Sequence, residues 1–139
     1  MATIAVSPYV LKDVRLLIDA DNYEAHVSQV EFTPSASTVT WKGMTPSAVF
    51  TDISTATWVC TLAYAQDWET PNSLSQYLLE NEGETVDVEL VPVNGAAGSP
   101  KFSATLVVTP GAIGGTVDAV AVASVSLPVQ GKPVKGVTV

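Results

Sequence analysis

From residue 55 to residue 65 the chain alternates with period two. Ala56, Trp58, Cys60, Leu62 and Tyr64 fall on one face, and Thr55, Thr57, Val59, Thr61 and Ala63 on the other. Successive side chains of a strand point to opposite faces, so the period commits this stretch to a half-buried β-strand. A second strand follows the same rule, with Val86, Val88 and Leu90 opposite Thr85, Asp87 and Glu89. Each packed face needs another layer to cover it, and the rest of the chain has to supply that layer.

Between the two strands the sequence predicts one helix, over residues 74–82. Ser73 and Gln76 have the spacing of a capping box, in which the serine hydroxyl accepts from the Gln76 amide and the glutamine side chain reaches back. Leu74, Tyr77 and Leu78 form an apolar stripe, and Gly83 is placed to end the helix in a left-handed conformation. A helix this short is marginal alone in water, so it has to be held against the sheet by its stripe.

The remaining segments read as strands and connections. Residues 1–10 lack an amphipathic period and contain Pro8, which predicts an extended arm. Residues 14–18 form a short strand with Val14, Leu16 and Ile18 on one face, then a turn at 19–22, and residues 25–33 return as its hairpin partner. Residues 34–54 mix prolines and hydroxyl residues with Trp41, Met44 and Phe50. A connection this long inside a compact domain usually has a task. Either it is an extended hairpin that offers its aromatics for docking, or Trp41 and Phe50 fold back as a lid over the core. Further strands are expected at 85–93, 101–110 and 117–127, the first two joined by a turn at 94–99, and a C-terminal arm at 128–139. Evenly spaced short strands with turn signals predict a β-rich α+β fold. It is an antiparallel β-sandwich or barrel with one short flanking helix, in a single domain over residues 1–139.

Charge narrows the function. Fourteen acidic residues stand against six basic ones, a net charge of −8, which disfavours binding nucleic acid by phosphate neutralisation and disfavours an anionic membrane. Half of the acids (Asp67, Glu69, Glu80, Glu82, Glu84, Asp87 and Glu89) lie in a stretch without lysine or arginine. Charged residues make up only 14 % of the chain, against about 25 % in an average domain. A surface so poor in charge suits a protein that hides much of itself in contacts with other subunits. No signal peptide is read at the N-terminus. The weakly polar run at 117–129 is too short and too interrupted to span a bilayer.

Catalytic chemistry is hard to assemble. His26 is the single histidine and reads as a surface residue; Cys60 is the single cysteine and reads as a buried, inert thiol. The acids at 19–22 lack the glycine and the glutamate of a calcium loop, and the glycines at 111–115 lack the lysine of a phosphate loop. Asp87 and Glu89 share a strand face without aromatic platforms around them. We therefore expect no catalytic, cofactor or metal site.

Several phrases resemble the major tail proteins, the tail tube subunits, of long-tailed bacteriophages: TATWVCTLAYA at 55–65, TPNSLSQYLLENEG at 70–83, ETVDVELVPV at 84–93, FSATLVVTP at 102–110 and VSLPVQGKPV at 125–134. The resemblance implies a β-sandwich whose subunits form hexameric rings. These stack into a tube in which DNA passes without specific binding. It implies a virion protein assembled in the host bacterial cytoplasm, with tape-measure, tail chaperone and tail-tip proteins as partners. In this reading the 34–54 segment, through Trp41, Met44 and Phe50, contacts the next ring, while Asp87 and Glu89 face the channel. The alternatives are an immunoglobulin-like binding or decoration domain, and a tube protein of a contractile injection or type VI secretion system.

Overall fold

The computed structural model describes residues 2–95 and 97–138. Within these residues the elements run β1 (Arg15–Ile18), β2 (Asp21–Asn22), β3 (Val27–Ser35), β4 (Thr38–Lys42), β5 (Val49–Ile53), β6 (Thr57–Ala65), α1 (Leu74–Glu80), β7 (Thr85–Val91), β8 (Pro100–Val107), β9 (Val122–Pro128) and β10 (Val134–Val137). The two alternating stretches become β6 and β7, and they lie in different layers. β7 belongs to a five-stranded sheet of order β10-β8-β7-β1-β2, whereas β6 is the centre of a three-stranded sheet, β3-β6-β9. Each of these pairings is antiparallel.

The registers decide the core. Val88 lies opposite Ala104, and Leu62 opposite Val125, so apolar alternates of neighbouring strands share a face. Leu16, Ile18, Val86, Val88 and Leu106 of one sheet then meet Cys60, Leu62, Tyr64, Val125 and Leu127 of the other in one apolar cluster. The molecule is thus an antiparallel β-sandwich with one short helix. On one side the layers touch: beyond β9 the chain crosses to β8, with Val129 opposite Leu106 and the Gln130 amide donating to the Thr105 carbonyl at 2.8 Å. On the other side β1 and β3 stay apart and leave a cleft of about 510 Å³ that Val14, Leu16, Val27 and Val30 help to line.

Helix α1 closes the end where β6 leaves one sheet and β7 enters the other. Leu74 and Leu78 are buried in the core, and the Tyr77 ring lies 5.9 Å from that of Tyr23. Ser73 is the N-cap and accepts from the Gln76 amide at 3.5 Å. The reciprocal half of the expected box is not made. The Gln76 side chain donates instead to the Trp68 carbonyl at 2.6 Å, because residues 67–72 fold across the start of the helix. Asp67 orders that turn: its carboxylate accepts from the amides of Glu69 and Thr70 at 3.0 and 3.1 Å. Its hydrogen bonds to Thr70, then that to the Glu69 amide, hold the carboxyl below the usual carboxylate range. Asn81 caps the other end, and Gly83 takes the left-handed conformation (φ 85°).

Four expectations change. The strand at 14–18 does not form a hairpin with 25–33. It turns at Asp19 and Ala20, both left-handed, and pairs with only two residues, Asp21 and Asn22. Burial of Tyr23 then carries the chain across to the other layer, where β3 pairs with β6. The strand expected at 117–127 begins only at Val122. Before it, Asp118 is left-handed and Val117 and Val120 are exposed, so neither burial nor pairing extends the ladder. What orders that loop is distant: the Gln66 amide donates to the carbonyls of Gly114 and Val122 and accepts from the Gly114 amide. The C-terminal arm is docked, since residues 134–137 are the edge strand β10 on β8. His26 is half-buried beside Tyr23, and its Nδ1 is buried with no hydrogen-bond partner among the described residues. The expected turn at 94–99 and the two arms include Ala96, Met1 and Val139, which lie outside the described residues.

Candidate functional site

Residues 34–54 settle as a projecting hairpin. β4 and β5 pair with each other and with no other strand among the described residues. The root is tied where the Ser54 amide donates to the Ser37 carbonyl at 2.8 Å, and the Ser37 amide to the Ser54 hydroxyl at 2.9 Å. At the tip the Gly43 amide donates to the Ala48 carbonyl at 2.6 Å. A Cβ on Gly43 would stand 2.8 Å from that of Ala48 and 3.3 Å from the Trp41 indole, so only glycine lets the turn close beneath the ring.

The register gives the two faces of the hairpin different characters. Trp41 lies opposite Phe50, and Val39 opposite Asp52; these four share a face. The other face carries Thr38 with Ile53, Thr40 with Thr51, and Lys42 with Val49. Trp41 and Phe50 are 63 % and 60 % exposed, and Met44 at the tip is fully exposed. The extended hairpin, and not the folded lid, is the form seen. Aromatic side chains and methionine grouped in this way are the composition of a protein interface.

Asp87 and Glu89 lie on the outer face of the five-stranded sheet, as the alternation predicts, but neither is bare. Glu89 pairs with Lys101 at 3.2 Å, and Asp87 accepts from the Thr105 hydroxyl at 3.0 Å. Arg15 joins the same patch from β1. Of the acids in the stretch without lysine or arginine, Glu69, Glu80, Glu82 and Glu84 are exposed around the helix, with no such partner among the described residues.

The outer face of β3-β6-β9 was not singled out from the sequence. It is built from Gln29, Glu31, Thr33 and Ser35, then Thr57, Val59, Thr61, Ala63 and Ala65, then Val122, Ser124, Ser126 and Pro128. Glu31 is its one charge. Among the described residues no further strand pairs along the outer edge of β3 or of β9, and just past β9 only Val129 bridges to Leu106. An open, charge-poor edge invites another strand. The signal was present in the sequence as the Thr/Ser/Ala alternates opposite the apolar ones.

A third feature is an apolar groove of about 410 Å³ between the layers. Phe32 and Trp58 line it from one sheet, Leu90 and Phe102 from the other, and Tyr9 and Leu11 of the N-terminal segment close one side. Lys132 and Lys135 stand at its rim with Glu31. Its walls come from six separate parts of the chain, so no local pattern announces it.

Cys60 sits in the core, where burial pushes its thiol up to about 12 and keeps it protonated at neutral pH. Among the described residues no three of histidine, cysteine, aspartate and glutamate group as metal ligands, and no helix is long and apolar enough to cross a membrane. No family model matches the chain, and no curated protein matches it.

Proposed function

We propose that this chain is a structural subunit of a phage tail tube, forming hexameric rings that stack around a channel for DNA. One observation carries the reading: the β4–β5 hairpin, which stands off its own sandwich with Trp41, Phe50 and Met44 in water. A two-stranded hairpin is at best marginally stable by itself. Its shape and composition make sense when another copy covers it. The charge-poor face and open edges of β3-β6-β9 supply a second contact in a different direction. Contacts between unlike surfaces generate rings and open filaments.

In this reading the chain works by geometry and charge. Asp87 and Glu89 line the channel, where carboxylates repel phosphates and let DNA slide. Lys101 and Arg15 temper that field instead of creating a binding site. Tape-measure, tail chaperone and tail-tip proteins are the proposed partners, and the virion is the proposed location after assembly in the bacterial cytoplasm. Negative-stain electron microscopy of the concentrated protein, with light scattering over a dilution series, tests it. Six-fold rings or hollow tubes are expected. A strict monomer that stays so when a tail-tip complex is added would turn the reading toward a binding or decoration domain.

A further inference from the structure

We infer that the apolar groove between the two sheets is the receptor for the β4–β5 hairpin of a second copy of this chain. The inference rests on the reading that copies associate through the hairpin, and it names the surface that receives it. Two features match. The hairpin face that carries Val39, Trp41 and Phe50 has one charge, Asp52, which is negative and exposed. The groove is apolar along Phe32, Trp58 and Phe102, and its rim carries two lysines, Lys132 and Lys135, against Glu31 alone. An aromatic face ending in a carboxylate thus meets an aromatic trough ending in ammonium groups. The opposite hairpin face, with Lys42 as its charge, would set like charges together, which orients the docking.

The exposure of the hairpin face makes the contact intermolecular. The hairpin leaves the sandwich at the end of β3 and projects outward, with Val39, Trp41 and Phe50 all exposed, so its own groove stays unfilled. Tyr9 and Leu11 already form a wall of that groove, and residues 2–8 run on from it into solvent. The free apolar face nearest in chemistry is therefore the hairpin of another copy. Projection and trough are unlike surfaces of one molecule, so hairpin into groove is a heterologous contact that propagates unless rotation closes it.

Site-directed cross-linking tests this directly, because Cys60 is buried and unreactive and leaves an introduced thiol as the reactive one. A mass-tagged Val39→Cys copy is mixed with a Pro133→Cys copy, which keeps Asp52, Lys132 and Lys135 in place, and treated with a short bismaleimide. The expected result is a mixed dimer formed about tenfold faster than in a control pairing Val39→Cys with Glu82→Cys at the helical end, because docking raises the local concentration of the two thiols. Adding Phe50→Ser to the hairpin copy should remove the difference. Rates equal to the control overturn the groove as receptor. Equal trapping of an Ile4→Cys copy by Pro133→Cys assigns the groove to a neighbour's N-terminal arm and overturns it too. Rings or tubes that form without the 39–133 cross-link leave the tube reading standing and remove this one. A specific 39–133 cross-link confined to closed dimers keeps the docking and removes the tube.

Discussion

Tyr64 and Gly111 show how tightly single positions are set. Tyr64 is in the core at the end of β6, and a Cβ on Gly111 would overlap its hydroxyl oxygen. The ring is enclosed and cannot swing clear, so Gly111→Ala should destabilise the fold by about 1–3 kcal/mol, the usual cost of overpacking. Tyr64→Phe in the same chain removes the atom that is struck and should return part of that loss. Urea midpoints of the two single variants and the double one measure the coupling; additivity within about 0.3 kcal/mol would deny the contact. Burial also fixes the response to alkali. It pushes Cys60 and Tyr77 up to about 12 and raises Tyr23 and Tyr64. Each is neutral when protonated, so the folded chain holds these protons more firmly than the unfolded one. Their contribution is complete below the ordinary values of 9.0 for the thiol and 10.0 for the phenols, and it is lost as pH rises toward 12. The urea midpoint should stay level between pH 7 and 8 as far as these groups are concerned and then fall steadily through pH 11. A midpoint that is flat to pH 11 would show that these side chains are solvated.

At the scale of elements, α1 depends on its cap more than on its length. The Ser73 hydroxyl donates to the Asp67 carbonyl at 2.5 Å and accepts from the Gln76 amide, and the side chain is buried. Ser73→Ala leaves both partners short of a bond, and a loss of about 1–2 kcal/mol in chemical denaturation is expected. Ser73→Thr, which keeps the hydroxyl, should recover part of it. The helix and the strands β6 and β7 were legible in the sequence because capping and period-two burial are local properties. Pairing is not local. The alternation of Val30 and Phe32 announces a strand but does not say which sheet accepts it, and a short turn after β1 points to the wrong neighbour. Near its end the 109–121 loop imitates a strand through its valines and alanines, while its real anchor, Gln66, lies far away in sequence. The hairpin aromatics stood out against prolines and hydroxyl residues. The groove did not, since its aromatic walls are brought together only when both sheets have formed.

For the whole molecule, the two chain ends separate folding from assembly. Both read as extended arms from their prolines, yet they differ in what they bury. At the N-terminus Ile4 and Val6 are 90 % and 86 % exposed, and residues 2–7 supply no core surface that a deletion of residues 1–7 would remove. The urea midpoint should then move by less than about 0.5 kcal/mol, as for a surface change. At the C-terminus β10 tolerates Pro133 just before it because it is an edge strand, and it pairs with β8 from Val134 opposite Ser103 to Val137 opposite Pro100. Deleting residues 134–139 opens that edge and strips Lys135 from the groove, and it should cost on the order of 2–4 kcal/mol at about 1 kcal/mol for each ladder bond. Under the tube reading both truncations stop assembly, but for different reasons: the first yields a stable subunit without its arm, the second a weakened subunit without a complete groove. Denaturation curves beside electron micrographs of the two variants tell these apart. Tubes from the N-terminal truncation would show that the exposed arm takes no part in subunit contact, and growth would then have to rest on the hairpin and the open edges of β3-β6-β9.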